Sequence, residues 1–173
     1  MKNLARSAVT LAAAFLAFAT LNTAPAQAAD TVGRVANYSS SGTKCLTPEG
    51  NRTSNGTVLT FWDCTGSALQ TYYQEIGDDR LIHRASGKCV TPKGNGYNTN
   101  GAVLTLWDCG ARNNTVQSIV MPSRGYYASQ ARMKYSDKCF TGYGNGTSNG
   151  TWVTLWTCGN PIPETQNWGM TTF

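Results

Sequence analysis

Three tryptophans, Trp62, Trp107 and Trp156, occupy one position in a stretch that the chain repeats three times. Each lies two residues before a cysteine and follows an Asn-Gly pair and a run of alternating apolar residues. The apolar residues three and five positions before the cysteine face one side of a strand, so the Trp faces the other side. An exposed Trp in all three repeats is costly unless it binds something. The pattern predicts a binding surface; the competing interpretation is that each indole only shields its disulfide.

Catalytic chemistry has few candidate residues. His83 is the single histidine, so a Ser-His-Asp triad would depend on it, and its place in a predicted strand favours a structural role. Asp78 and Asp79 are neighbours in a predicted solvated turn, whereas acid–base pairs need opposed carboxylates. The sequence has no phosphate loop, nucleotide fingerprint or Cys-x-x-Cys metal motif. We predict no catalytic residues, no metal and no cofactor.

The first 28 residues have the pattern of a secretory signal peptide. Lys2 and Arg6 give a basic start, Ala8–Leu21 is apolar and uncharged, and Ala26–Ala28 forms a small-residue cleavage motif. The alternative, an uncleaved membrane anchor, is disfavoured because the apolar run is short. We expect a secreted mature chain that forms one domain over residues 29–173.

The charge of the chain argues against two classes of partner. The formal net charge is +5, and it falls to +3 without Lys2 and Arg6. The remaining cations are spread along the sequence, whereas nucleic acids and anionic membranes require a concentrated basic face. We predict no nucleic-acid binding, no membrane insertion and a monomeric chain.

The six cysteines are expected to form three disulfides in an exported chain. Six cysteines allow fifteen pairings, and the repeat selects one of them. Each predicted bond joins the start of a repeat to the end of its hairpin and adds about 3 kcal/mol of stability. The predicted pairs are Cys45–Cys64, Cys89–Cys109 and Cys139–Cys158.

The repeat also predicts the fold class. Units of residues 32–76, 77–121 and 126–173 each contain about four short strands with Gly- and Asn-rich turns and no helical period. The Asn-Gly pairs predict hairpin turns, because both residues tolerate positive φ. No unit can bury its own apolar face, so the three must share a core. We predict an all-β fold of about twelve strands.

These motifs resemble those of the ricin-B-type β-trefoil, a family of lectins and carbohydrate-binding modules. The resemblance rests on a Lys-Cys-apolar entry, the Asn-Gly turn, an apolar-x-apolar-Trp-Asp-Cys strand and a degenerate Gln-x-Trp near the end of each unit. Only Gln166 keeps the final Trp of that motif, while Tyr72 and Ile119 replace it as core residues. The resemblance implies a β-trefoil with one shallow sugar pocket per repeat.

The resemblance also implies roles for particular positions. The repeated Trp is expected to stack on a sugar ring, with nearby polar groups bonding its hydroxyls. The family's acidic residue, two positions after the first Cys, is replaced by threonine in every repeat. The Gln of Gln-x-Trp is a further candidate, although a buried amide more often satisfies backbone groups. The candidate residues are Trp62, Trp107, Trp156, Thr47, Thr91, Thr141, Gln70, Gln117 and Gln166.

Together these features predict a secreted, lectin-like carbohydrate-binding protein with up to three weak sites for a glycan or polysaccharide. The third repeat looks best equipped, since Tyr143 and Trp152 add aromatic surface beside Trp156. Loss of the acidic residue favours a different hypothesis, a protein-interaction trefoil such as a toxin subunit or an enzyme inhibitor. In that case the Trp patches would anchor a protein interface.

Overall fold

The structure is a computed structural model that describes residues 31–122 and 129–172. The predicted signal peptide and residues 29–30, 123–128 and 173 lie outside the described residues. Within those two ranges no helix has the length and apolar character needed to cross a bilayer. The described residues form twelve strands: β1 (Thr31–Ser39), β2 (Gly42–Pro48), β3 (Leu59–Asp63), β4 (Thr71–Gln74), β5 (Ile82–His83), β6 (Lys88–Pro92), β7 (Leu104–Trp107), β8 (Ile119–Val120), β9 (Arg132–Met133), β10 (Lys138–Gly142), β11 (Val153–Thr157) and β12 (Trp168–Thr172).

The strands fall into three similar sets of four. The antiparallel hairpins β2–β3, β6–β7 and β10–β11 occupy the same place in successive repeats. Strand β1 pairs with β12, which joins the first repeat to the last. Single bridges such as Val58 to Thr105 and Val103 to Thr154 join one hairpin to the next. The prediction of an all-β chain of about twelve short strands is confirmed.

One hydrophobic core is shared by all three repeats. The alternating apolar residues of the hairpin strands, such as Phe61, Leu106 and Leu155, are fully buried in it. The Trp168 ring lies 4.8 Å from the ring of Phe61, so residues more than a hundred positions apart pack together. Tyr72 is also fully buried, at the position that Trp168 occupies in the third repeat. Burial of these side chains supplies most of the favourable free energy of folding.

Each repeat contains one disulfide, as predicted. The bonds join Cys45 to Cys64, Cys89 to Cys109 and Cys139 to Cys158. The two Cα atoms lie 5.0 Å apart in every pair, which is within the ordinary range for a disulfide. Each bond therefore joins the first strand of a hairpin to a cysteine one or two residues after the end of the second strand.

The predicted hairpins form, although their Asn-Gly pairs are not two-residue type I′ turns. Only the Gly has positive φ, 83° at Gly56, and the Thr57 N–H donates to Ser54 O at 3.1 Å, as in a type II turn. The residues with consecutive positive φ are Gly50 and Asn51, at 61° and 57°. This Gly-Asn turn also occurs at residues 94–95 and 144–145. The Asn-Gly pair instead contacts the neighbouring repeat, as described below.

Candidate functional site

The three repeated tryptophans are on the surface. Trp62, Trp107 and Trp156 have 45%, 49% and 51% of their area exposed. Each lies directly across its hairpin from the first cysteine of the repeat. The indole therefore lies near the disulfide, but about half of its surface remains open to a ligand. The positions follow from strand alternation, because the neighbouring apolar side chains face the core.

Each tryptophan lines a cavity of similar size. The cavities of the first, second and third repeats have volumes of about 330, 360 and 370 Å³. Each is lined by the Trp, by the threonine two residues after the first Cys, by a second strand threonine and by the Gly-Asn turn. Cavities of this size, mostly apolar with a few polar groups, are typical of small-ligand sites. The common lining residues are Trp62, Thr47, Thr60, Gly50 and Asn51 in the first repeat; Trp107, Thr91, Thr105, Gly94 and Asn95 in the second; and Trp156, Thr141, Thr154, Gly144 and Asn145 in the third.

The threonine that lines each cavity is bonded to a buried glutamine, and this Thr–Gln pair is called the base of the cavity. In the second repeat, the Gln117 amide donates to Thr91 Oγ1 at 2.9 Å and to Asp108 O at 3.0 Å. Its Oε1 accepts from the Gly110 N–H at 2.8 Å. The same three bonds recur in the other repeats, from Gln70 to Thr47, Asp63 and Thr65 and from Gln166 to Thr141, Thr157 and Gly159. Each Gln thus holds the loop that follows the second cysteine.

These bonds limit what the candidate threonines and glutamines offer a ligand. Thr47, Thr91 and Thr141 are no more than 7% exposed, and each donates its single hydroxyl proton to the carbonyl of its own repeat's first cysteine. A hydroxyl has one proton, so these groups have none left for a ligand. The glutamine amides are bonded at both nitrogen protons and at oxygen. They act as the frame of the cavity.

Asparagine amides are available polar groups in all three cavities. Asn51, Asn95 and Asn145 are exposed and line their cavities, and the structure shows no hydrogen bond from these amides to any described residue. An amide provides two donors and an acceptor, which suits vicinal hydroxyl groups. The Gly-Asn turn fixes these asparagines in left-handed backbone geometry at the cavity wall. These asparagines were not predicted, although a Gly-Asn pair begins five residues after each first cysteine.

Each cavity is completed by the Asn-Gly turn of the preceding repeat. Gly56 lines the second cavity, and a Cβ added there would lie 3.6 Å from Cζ3 of Trp107. Asn55 beside it donates to Asp108 Oδ2 at 2.7 Å. The same relation joins the second repeat to the third and the third to the first, through Gly101 at Trp156 and Gly150 at Trp62. The Asn-Gly pair therefore packs beside the indole of the next repeat. This contact was not predicted, because the two segments are far apart in the sequence.

At two of these junctions the aspartate that accepts from the neighbouring Asn also forms an ion pair within its own repeat. Lys44 Nζ lies 2.6 Å from Asp63 Oδ1, and Lys88 Nζ lies 2.6 Å from Asp108 Oδ1. Hydrogen bonds from Lys44 and Asn149 hold the pKa of Asp63 below its usual value. Lys88 and Asn55 lower the pKa of Asp108 in the same way. In the third repeat Thr157 replaces the aspartate, and Asn100 Oδ1 accepts from the Thr157 N–H at 3.0 Å.

The outer wall of the cavity differs in every repeat. The residue four positions after the first cysteine lines each cavity, and it is Glu49, Lys93 or Tyr143. Glu49 is already paired with Arg52 at 3.1 Å and accepts from Trp152 Nε1 at 3.2 Å. Lys93 is exposed, and its ammonium group has no hydrogen bond or ion pair with any described residue. Lys93 and Glu49 were not predicted as site residues. The sequence feature that could have identified them is that the residue type changes at this position while the Gly-Asn pair that follows is the same in all three repeats.

Trp152 is placed differently from the sequence expectation. It is 43% exposed, and its ring lies 6.3 Å from that of Tyr143. It is not among the residues that line the third cavity, and its indole N–H bonds to Glu49 of the first repeat. Tyr143 lines the third cavity with Trp156. The additional aromatic wall of that cavity is therefore Tyr143.

The residues considered for catalysis have structural environments. His83 is fully buried; its Nε2 donates to Leu69 O at 3.0 Å and its Nδ1 accepts from Ser86 Oγ at 2.8 Å. Burial lowers its pKa, which favours the neutral ring. Asp78 is buried and bonded to Arg80 Nε at 2.7 Å, so the expectation of a solvated turn is wrong there. Among the described residues no three His, Cys, Asp or Glu side chains are grouped to hold a metal.

A comparison with models of protein families identifies the family of this chain. A model described as the ricin-type beta-trefoil lectin domain matches residues 79–172, more than half of the chain. The chain belongs to the ricin-type β-trefoil lectin family. Membership supports a carbohydrate-binding role for this lectin domain. A search of curated proteins found no significant match.

Solved structures confirm the β-trefoil fold of the lectin domain. The designed three-fold symmetric protein ThreeFoil is 20% identical, with a TM-score of 0.70 over 82% of this chain and 99% of its own. The ricin B-like lectin of Macrolepiota procera, solved with lactose, is 15% identical, with a TM-score of 0.64 over 83% of this chain and 96% of its own. The exo-β-1,3-galactanase 1,3Gal43A of Clostridium thermocellum is 18% identical, with a TM-score of 0.69, and the match covers 83% of this chain and 30% of that enzyme. At these identities the likeness establishes the fold alone.

Proposed function

We propose that the chain is a secreted, non-catalytic lectin that binds glycans weakly through its three equivalent cavities. In this proposal Trp62, Trp107 and Trp156 each stack on the apolar face of a sugar ring. The observation that supports it is the recurrence of a half-exposed Trp in a cavity of nearly constant size. The disulfide in each repeat supports a location outside the cytoplasm.

Hydrogen bonds to the sugar come from the wall of the cavity in this proposal. Asn51, Asn95 and Asn145 offer unpaired amides, and they replace the carboxylate that the family usually places at the threonine position. A neutral hydrogen bond contributes about 1 kcal/mol, compared with about 1.5–3 kcal/mol for one to a charged group. Each site is therefore weak, on the scale of millimolar dissociation constants, which correspond to about −4 kcal/mol.

Weak sites on one rigid body suit a multivalent ligand. Once one cavity holds a polysaccharide, binding at the next becomes effectively intramolecular, and the overall affinity rises without new contacts. The third cavity is the strongest in this proposal, because Tyr143 adds an aromatic wall beside Trp156. A polysaccharide or a clustered glycan is therefore the proposed ligand.

The test is retention of the purified protein on a panel of insoluble polysaccharides and on a glycan array. Trp156→Ala is expected to weaken retention more than Trp62→Ala or Trp107→Ala. Tyr135→Ala is the matched control, because it removes an equally exposed aromatic side chain that lines none of the three cavities. Unchanged retention of Trp156→Ala would remove the stacking model. Failure of the wild type to bind any glycan would favour the protein-interaction hypothesis instead.

A further inference from the structure

We propose that the second cavity is selective for sugars that carry an anionic substituent, a carboxylate or a sulfate ester, through Lys93. This inference rests on the proposed function, because it needs a sugar ring on Trp107. It concerns a wall position at which the three cavities differ in charge. The residue there is acidic in the first repeat, basic in the second and aromatic in the third.

The charge balance of the second cavity carries the argument. Trp107, Lys93 and Asn95 line the same space of about 360 Å³, and no acidic residue is among its lining residues. Lys93 is exposed, and no described residue bonds to its ammonium group. The other nearby lysine, Lys88, is held by Asp108 at 2.6 Å. Lys93 is thus the cation available to a ligand in this cavity.

The other two cavities lack this property. In the first, the wall residue is Glu49, which is paired with Arg52 at 3.1 Å, and no Lys or Arg is among the lining residues. In the third, the wall residue is the aromatic Tyr143, and no Asp, Glu, Lys or Arg is among the lining residues. An ammonium group that approaches a carboxylate or sulfate forms a charge-assisted hydrogen bond, which is stronger than a neutral one. Anionic sugars should therefore prefer the second cavity, whereas the third cavity should show no such preference over neutral sugars.

Three soluble probes distinguish the possible ligands: trigalacturonate for a carboxylate, galactose 6-sulfate for a sulfate ester and lactose as the neutral sugar. Binding is followed by titration calorimetry and by the indole N–H resonances of Trp62, Trp107 and Trp156, which report each cavity separately. We expect the Trp107 resonance to respond to an anionic probe at lower concentration than to lactose. The preferred anionic probe assigns the substituent. Equal responses to all three probes would overturn the inference.

Lys93→Gln tests the role of the ammonium group. It is expected to reduce anionic binding at Trp107 by roughly threefold to fivefold, the range of a partly exposed ion pair, and to leave lactose binding unchanged. The loss should diminish in high salt, because screening weakens the wild-type pair. Arg84→Gln is the control for net charge, since Arg84 is exposed and lines none of the three cavities. An equal loss in Arg84→Gln would show a general charge effect and overturn the inference.

A gain-of-function variant tests sufficiency. Tyr143→Lys places the same cation in the third cavity and is expected to make the Trp156 resonance respond to the anionic probe. If lactose binds through the tryptophans but neither lysine variant alters anionic binding, this inference fails while the proposed function stands. If no probe perturbs any of the three indoles, the proposed function itself fails.

Discussion

The base of each cavity is nearly identical in the three repeats, whereas the outer wall is different in each. The base consists of the threonine that lines the cavity and the glutamine that bonds to it, at 3.0, 2.9 and 3.0 Å in the three repeats. The wall residue is Glu49, Lys93 or Tyr143. Base residues are bonded to the backbone and cannot change without exposing unsatisfied groups, whereas wall residues face water. The fold thus fixes a common base and leaves the wall residue four positions after the first cysteine free to vary.

The largest expected effect separates the two regions by stability. Gln117→Leu leaves the Gly110 N–H and the Asp108 carbonyl without their partner, so the free energy of unfolding should fall by about 1–3 kcal/mol. Lys93→Leu introduces the same side chain at the wall of the same cavity and should change it by less than about 0.5 kcal/mol. Urea unfolding monitored by fluorescence measures both. Similar losses in the two variants would contradict the division into base and wall.

A smaller effect is expected on ligand binding at the wall. Tyr143→Ala should weaken lactose binding in the third cavity several-fold, because an aromatic contact contributes about 0.5–1.5 kcal/mol. Lys93→Ala, at the equivalent position of the second cavity, should leave lactose binding there unchanged. Titration of the Trp156 and Trp107 indole resonances measures each site. A comparable loss in both cavities would indicate that the wall acts through size and not through its chemistry.

The smallest effect concerns the junctions between repeats. The folded-state pKa of Asp63 and of Asp108 is lowered, so each stabilises the fold above the unfolded-state value of 3.8, and that contribution disappears as pH falls through the folded pKa. An Asp63→Thr/Asp108→Thr variant copies the third repeat, where Thr157 does not titrate. Its melting temperature should therefore decline less steeply than that of the wild type below about pH 4. If the melting temperatures of the variant and the wild type changed equally with pH between about pH 2 and 5, these aspartates would not contribute to stability as proposed.

The repeated pattern was sufficient to predict the strands, the disulfide pairs and the outward direction of the tryptophans. Strand alternation places Phe61 in the core and Trp62 on the surface whatever lies around them. The available asparagines were missed for a related reason. Whether an amide such as that of Asn51 has a hydrogen-bond partner depends on all of its neighbours in space, and a sequence motif does not specify those neighbours.

The sequence by itself determined that three copies of one disulfide-closed hairpin exist and share a core, because periodicity and apolar alternation are local properties. Only the tertiary structure decided which repeat completes which cavity, since Gly56 meets Trp107 across fifty residues of chain. It also decided that Thr91 and Gln117 belong to the frame, because a hydroxyl or amide is available to a ligand only if the fold leaves it unbonded.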